Sequence, residues 1–124
     1  MAYEVRIDPE RRLVEIKATG TVTDDDVRSM NDRMRGDSSI APDFDQLFDA
    51  SEVSEMTLSS KEVRAMSARE PFFSTPSRRA VVAPDDLGFG MARMFELSRG
   101  ELAGEIRVFR TRREALVWLG LPPE

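Results

Sequence analysis

Two stretches near the start of the chain alternate apolar and polar residues and are separated by a short turn. Tyr3–Asp8 alternates throughout, and Leu13–Ala18 alternates after its first residue, as half-buried strands do. Pro9–Arg12, between them, is predicted to be the turn. Two strands this close in sequence must pair in antiparallel fashion, because a parallel pair needs a crossover of about a dozen residues. The sequence therefore predicts a β-hairpin at the start of the fold.

Signals for helices and further strands follow the hairpin. Thr23, Ser59 and Thr111 each precede an acidic residue three positions later, which is a pattern typical of a helix N-terminus. A further helix is predicted over about 87–98, where apolar residues recur on one helical face. Gly20 is expected to end the second strand. The other predicted strands are Phe44–Asp49, Arg78–Ala83 and Glu105–Arg110.

The predicted elements occur in the order ββαβαβαβα, which we interpret as a single α/β domain over residues 1–124. Crossovers between parallel strands are right-handed in nearly all proteins. We therefore expect one mostly parallel five-stranded sheet in which the last four strands are parallel and helices shield the sheet from water. A chain of 124 residues has the usual size of one domain with one core.

The composition excludes several kinds of chemistry. The chain contains no cysteine and no histidine, so disulfides, thiolate nucleophiles, thiolate zinc sites and His-dependent hydrolase schemes cannot be built. We expect no enzyme activity, no metal and no cofactor. A net charge of −5 argues against a nucleic-acid surface, which depends on clustered cations. Because no run approaches the roughly 20 apolar residues of a membrane span and the start lacks a secretory signal, we expect a cytoplasmic protein without membrane insertion.

Four polar residues at or just after the carboxyl ends of predicted strands are candidates for a site at one edge of the sheet: Asp49, Ser51, Asp85 and Asp86. In open α/β sheets, ligands bind at the carboxyl ends of parallel strands. Paired carboxylates can act as acid and base or hold a divalent cation. Their spacing matches no metal loop, so we interpret Asp85 and Asp86 as helix caps and Asp49 as part of a strand-end turn.

The second half of the chain carries a resemblance to a known family. The segments are Ala80–Pro84, Phe89–Phe95, Val108–Arg110 and Glu114–Gly120. With the order of elements, they resemble the SpoIIAA-like family, distant relatives of STAS domains, over nearly the whole chain. The resemblance implies a STAS-like or Sec14-like α/β fold, usually without an assigned biochemical activity. Its better-known STAS relatives are anti-sigma-factor antagonists and regulatory domains of anion transporters.

The resemblance also makes Ser51 a candidate phosphosite. In the antagonists, the phosphorylated serine lies in an Asp-Ser-Ser-Gly-Leu-Gly stretch just after the third strand. Here Asp49–Ser54 reads Asp-Ala-Ser-Glu-Val-Ser, so only the aspartate and the second serine match. Glu52 and Glu55 would repel an added phosphate. We therefore favour a polar loop residue over an antagonist with a phosphorylatable Ser51.

The predicted helix over about 87–98 carries a candidate binding row. If its apolar face points inward, Phe89, Arg93 and Leu97 fall on the opposite side, at positions i, i+4 and i+8. An aromatic residue, an arginine and a leucine in one outward row are typical of interface centres. Phe72 and Phe73 could extend this patch. The alternative is that a wider core or a neighbouring loop covers these residues.

Two hypotheses for the function follow. The first is a non-catalytic STAS-like regulatory or interaction module that acts through protein contact, with a homodimer as the simplest case. The second is a carrier or sensor of a small apolar or amphipathic ligand, as Sec14-like relatives suggest. Such a ligand would lie between the sheet and helices bearing Met30, Met34, Met91 and Met94, which we otherwise interpret as core residues. Methionine-rich walls suit adaptable apolar binding.

Overall fold

The computed structural model describes residues 3–69, 72–73, 77–99 and 105–123. Within them, strands and helices follow the predicted order ββαβαβαβα. The elements are β1 (Tyr3–Asp8), β2 (Leu13–Val22), α1 (Asp24–Arg35), β3 (Asp45–Met56), α2 (Ser60–Ala68), β4 (Arg78–Val82), α3 (Asp86–Arg99), β5 (Glu105–Phe109) and α4 (Arg112–Trp118). No helix in this described part of the chain is long and apolar enough to cross a membrane.

The strands form one five-stranded sheet in the order β1-β2-β3-β4-β5. The β1–β2 hairpin is antiparallel, and each later strand pairs in parallel with the one before it. The predicted fold class, α/β with a hairpin and four parallel strands, is confirmed. Strands that pair in parallel are consecutive along the chain, and each connection between them contains one helix.

The two faces of the sheet are covered by different helices. Successive side chains of a strand point to opposite faces, and β3 shows the division. Leu47 belongs to an apolar cluster with residues of α4, whereas Phe48 packs against a cluster that contains Met30 and Met34 of α1. Residues of α2 and α3 also lie on the Phe48 side. Thus α4 covers one face alone, and the other three helices cover the opposite face.

Local caps fix the starts of the helices, as the sequence predicted. The backbone N–H of Asp26 donates to Thr23 Oγ1 at 3.2 Å, and the Asp26 carboxylate accepts from the Thr23 backbone at 2.9 Å. At the starts of α2 and α4, the side chains of Ser59 and Thr111 accept from the backbone N–H groups of Glu62 and Glu114. For α3, the N–H of Gly88 donates to Asp85 Oδ1 at 2.6 Å. These bonds satisfy N–H groups that a helix cannot satisfy internally.

Two strand boundaries differ from the prediction. Gly20 does not end β2, which continues to Val22 with Gly20 at φ +67°. The strand passes through a left-handed residue because two register shifts adjust its pairing with β3 on either side. β3 likewise continues past Asp49 to Met56. Its extension pairs only with β2 among the described residues and is mostly exposed, so its sequence lacks the apolar run of a central strand.

Candidate ligand-binding site

A cavity of about 170 Å³ lies between the sheet and helices α1, α2 and α3. Its floor consists of residues of β2, β3 and β4 that alternate with those facing α4. Floor residues include Ile16, Val22, Gln46, Phe48, Ala50, Met56, Arg79 and Val81. The roof and sides include Val27, Met30, Asn31, Met34, Arg35, Leu58, Val63, Met66, Phe72, Phe73, Gly88 and Ala92.

Most of the cavity wall is apolar and adaptable. Met30 and Met34 lie one turn apart on the face of α1 that is directed toward the sheet, and both are buried. Met66 contributes from α2. Phe72 and Phe73 close one side, with ring centroids 5.2 Å apart in an edge-to-face arrangement. Methionine and aromatic side chains together give a wall that can adjust to the shape of an apolar molecule.

One end of the cavity is polar, and β3 and β4 supply two of its residues. Gln46 and Arg79 are register partners at the start of these strands, and both line the cavity. Arg79 is only 7% exposed, and its guanidinium carbon lies 5.1 Å from the centroid of the Phe73 ring. Gln46 Nε2 donates to Met34 Sδ at 3.8 Å. That contact places the last turn of α1 above the starts of both strands.

The last turn of α1 supplies the other two polar residues. Arg35 Nε donates to Asn31 Oδ1 at 3.0 Å across one helical turn, and both side chains line the cavity. We refer to Asn31, Arg35, Gln46 and Arg79 as the polar end. Two of its members are cationic, and no acidic residue is among the described residues that line the cavity. The cavity between the sheet and helices α1, α2 and α3 is therefore an apolar chamber with one cationic end.

The opposite face of the sheet carries a compact ion network. Arg112, in the first turn of α4, donates to Asp49 Oδ2 at 2.9 Å and to Glu15 Oε2 at 3.0 Å. Asp49 is 2% exposed, and its Oδ1 accepts from the Ser51 backbone at 2.9 Å. Burial opposes ionisation of Asp49, but the bonds from Ser51 and Arg112 outweigh it, so the pKa of Asp49 lies below its ordinary value. This network fastens α4 to β2 and β3.

The predicted carboxylate site at the edge of the sheet is not assembled. Asp49 lies within β3, so the interpretation of a strand-end turn is wrong. It points toward α4, whereas Asp85 caps α3 on the other face. The side chain of Asp86 is almost fully exposed and pairs with Arg110 at 2.9 Å. No group of three or more acidic residues in the described ranges is arranged to hold a metal ion.

The predicted row on α3 is only partly visible. Phe89 is half-buried, with the Arg110 guanidinium carbon 4.1 Å from its ring centroid. Arg93 is exposed. The side chain of Leu97 lies outside the described part of the molecule. Arg110, which the sequence did not connect with this row, is therefore the residue that covers the aromatic ring at its start.

The other predicted site residues lie elsewhere. Phe73 is 1% exposed and Phe72 is half-buried, so the expectation that they extend an outward surface is wrong for Phe73. Both line the cavity. Ser51 is exposed, but it lies within β3 rather than in a loop.

The signal that could have revealed the polar end is Arg79, a charged residue beside the apolar run of β4.

The architecture defines a small α/β protein with a hairpin-led, mostly parallel sheet and a chamber beneath three of its helices. The sequence profile of the SpoIIAA-like family matches residues 13–120, and the chain belongs to that family. A solved structure of an uncharacterized protein from the DUF3478 family with a SpoIIAA-like fold, from Shewanella loihica PV-4, is similar with a TM-score of 0.60 at 20% sequence identity. The similarity covers 95% of this chain and 92% of that one, and at this identity it shows the fold alone. No curated protein matches the chain.

Proposed function

We propose that the protein is a non-catalytic STAS-like module that binds a small amphipathic molecule inside the cavity. The observation that carries this proposal is the 170 Å³ chamber, with an apolar wall and a polar end. Binding sites for small molecules commonly combine a mostly apolar lining with a few polar groups that fix orientation. Of the two hypotheses raised by the sequence, the ligand carrier or sensor has this physical support.

The size of the cavity limits what it can hold. An engineered apolar cavity of about 150 Å³ accommodates benzene, whereas drug-sized ligands occupy roughly 300–1,000 Å³. A chamber of about 170 Å³ therefore suits a single ring or a short alkyl chain. The methionines of the wall give some freedom for adjustment to a slightly larger molecule.

The chemistry of the wall supports binding rather than catalysis. The polar side chains among the described lining residues are those of arginine, asparagine and glutamine. None of these takes up or releases a proton near neutral pH, and general acid–base catalysis needs a group that does. The ion network of Arg112, Asp49 and Glu15 lies on the other face of the sheet. A bound molecule is therefore expected to be released without chemical change.

Titration with hexanol tests the proposal, and binding is measured by calorimetry and by the NMR chemical shifts of cavity residues. Hexanol has the size of a short alkyl ligand and carries no charge. We expect binding of one molecule, with shifts concentrated at the methionine methyl groups of α1. Native mass spectrometry of the freshly purified protein should also reveal any ligand that stays bound.

A filled cavity provides the matched control. Ala92 lines the cavity from α3, so Ala92→Phe should occupy the chamber and abolish hexanol binding while the protein stays folded. Ala65 is exposed on α2, and Ala65→Phe adds the same ring outside the cavity and should leave binding unchanged. Saturable hexanol binding that survives Ala92→Phe would contradict the location of the site, and no hexanol binding to the unaltered protein would contradict the proposal.

Protein contact through α3 remains a second candidate function. It is favoured by the exposed Arg93 one turn after Phe89, whose ring lies beneath Arg110. Arginine and aromatic residues are enriched at the centres of interfaces. If this row is a homodimer surface, Phe89→Ala combined with Leu97→Ser should give a folded monomer by light scattering and circular dichroism. An unchanged mass in a folded double variant would exclude the row as the contact.

A further inference from the structure

We propose that the ligand of this cavity is a small carboxylate with a short apolar tail. Its negative head would lie at the polar end, beside Arg79, and its tail would extend toward the far end of the chamber. This inference rests on the proposed function and adds to it the charge and the orientation of the bound molecule.

The first step concerns the charge of the lining. Arg35 and Arg79 line the cavity, and no described lining residue carries a negative charge. A cation that is largely out of water acts on its surroundings more strongly than one in solvent, because the effective dielectric constant is lower. Concave sites lined by one sign of charge concentrate ligands of the opposite sign. An anionic head is therefore the group that gains most from this end of the cavity.

The second step concerns the geometry of the head. A guanidinium presents its N–H groups as a planar fork that matches the two oxygens of a carboxylate. Arg79 is held in place by the Phe73 ring beneath it and by its position in β4. Gln46 is its neighbour in register and carries amide N–H groups on the same face. Such fixed groups bind with little further loss of freedom, which favours affinity.

One effect opposes an anion at this end. Arg35 and Asn31 belong to the last turns of α1, and the carboxyl end of a helix carries a partial negative charge. That effect falls off within a turn and amounts to about half of an elementary charge. Two full positive charges lie on the same side of the cavity, so the net preference is for a negative head.

The third step concerns the tail. Away from the polar end, the chamber is bounded by apolar residues that lie at or beyond the carboxyl ends of β2 and β3. They are Val22, Met56, Leu58 and Val63. Val22 and Met56 are register partners, so they form one continuous patch at that end. A molecule with both a charged head and an apolar tail can satisfy the two ends together in only one orientation.

A pair of ligands that differ only in the head tests the inference on the unaltered protein. Hexanoate and hexanol should be titrated by calorimetry at pH 7 in the same buffer. We expect hexanoate to bind about tenfold more tightly, as a hydrogen bond to a charged group provides. Equal affinity, or tighter binding of hexanol, would overturn the carboxylate while leaving the cavity proposal intact. If neither ligand binds, the proposed function fails and this inference fails with it.

Variants of Arg79 test the orientation. Arg79→Met should abolish the preference for hexanoate while hexanol binding is retained, and Arg79→Lys, which keeps the charge, should restore part of the preference. Arg64→Met is the matched control, because Arg64 is exposed on α2 and does not line the cavity. A tenfold preference that survives Arg79→Met would overturn the placement of the head. If Arg79→Met does not fold, Arg35→Met applies the same test from α1, with the same two outcomes.

Discussion

The two faces of the sheet are packed differently against the helices that cover them. On the α4 face, small residues such as Ala80, Val82 and Ala115 are fully buried, and the helix lies close to the strands. On the other face, methionine and phenylalanine side chains from α1, α2 and the segment before β4 surround a cavity. Protein interiors are normally packed without voids larger than a water molecule. The α4 face is therefore packed more tightly than the face that contains the cavity.

A single strand carries this contrast. In β3, Leu47 and Asp49 point toward α4, and both are almost fully buried. Phe48 and Ala50 alternate with them and line the cavity. Because the period of a strand is two residues, neighbouring positions in the same strand are subject to different requirements. Substitutions at adjacent positions can therefore separate stability from binding.

The largest expected effect compares equivalent truncations on the two faces. Leu47→Ala removes a side chain that is completely buried against α4 and should lower the free energy of unfolding by about 4 kcal/mol. Met34→Ala removes a buried side chain that already borders empty space, so fewer contacts are lost and we expect about 2 kcal/mol. Urea unfolding followed by circular dichroism measures both values. Equal losses would show that the cavity face is packed as tightly as the other.

A smaller effect is expected from the ion network on the α4 face. Asp49→Asn leaves Arg112 with only Glu15 as its described carboxylate partner and should cost about 3 kcal/mol at pH 7, since removal of one member of a buried pair leaves a poorly compensated charge. Hexanol binding should be unchanged, because Asp49 faces away from the cavity. Glu52→Gln, which alters only the exposed pair with Lys17, is the control and should have little effect.

The same network sets a dependence on pH. Because the pKa of Asp49 is lower in the folded protein than its ordinary value near 3.8, its ionised form stabilises the fold at neutral pH. That contribution is fully present above the ordinary value and is lost as pH falls through the lower, folded value. The free energy of unfolding should therefore decrease below about pH 4 more steeply in the unaltered protein than in Asp49→Asn. Parallel acid titrations with identical slopes would contradict this role.

The smallest effect is expected at Ser51. Its backbone and side chain donate to Asp49, but the side chain is exposed, so Ser51→Ala should change the free energy of unfolding by no more than about 1 kcal/mol. Neither Ser51→Ala nor Ser51→Glu should alter hexanol binding or biological activity, because the glycine-bearing phosphoserine context is missing. A kinase that modifies Ser51 specifically, with a phenotype in the alanine variant, would reverse this view.

Local chemistry explains why most of the fold could be predicted. The caps at Thr23, Ser59 and Thr111 depend on residues three positions apart, and the hairpin depends on a turn of four residues. By contrast, the extension of β3 depends on its pairing with β2, a partner distant in sequence, and no local pattern encodes it.

The sequence suggested a ligand between the sheet and methionine-bearing helices, and Met30 and Met34 do line the cavity, but the existence of the cavity and its polar end could not be predicted. Methionines that line a cavity follow the same helical spacing as methionines in a filled core, so the sequence pattern does not distinguish the two. The sequence predicted that Phe72 and Phe73 extend an outward patch, and only the three-dimensional structure shows that both line the cavity. Arg79 lies in β4 together with Ala80 and Val82, which are fully buried. Strand alternation predicts the direction of the Arg79 side chain, but it does not predict the cavity that this side chain faces.

The extension of β2 and β3 also affects how these molecules meet one another in solution. Past Ala18 and Asp49, the two strands pair only with each other among the described residues, so each has an outer edge that no described strand covers. Exposed edges of this kind promote sheet-to-sheet aggregation. Here the exposed carboxylates of Glu52 and Glu55 lie along the ribbon, and two register shifts distort it. A second copy that approached edge to edge would meet the carboxylate of Glu55 on a twisted template, which should disfavour pairing through the sheet edges.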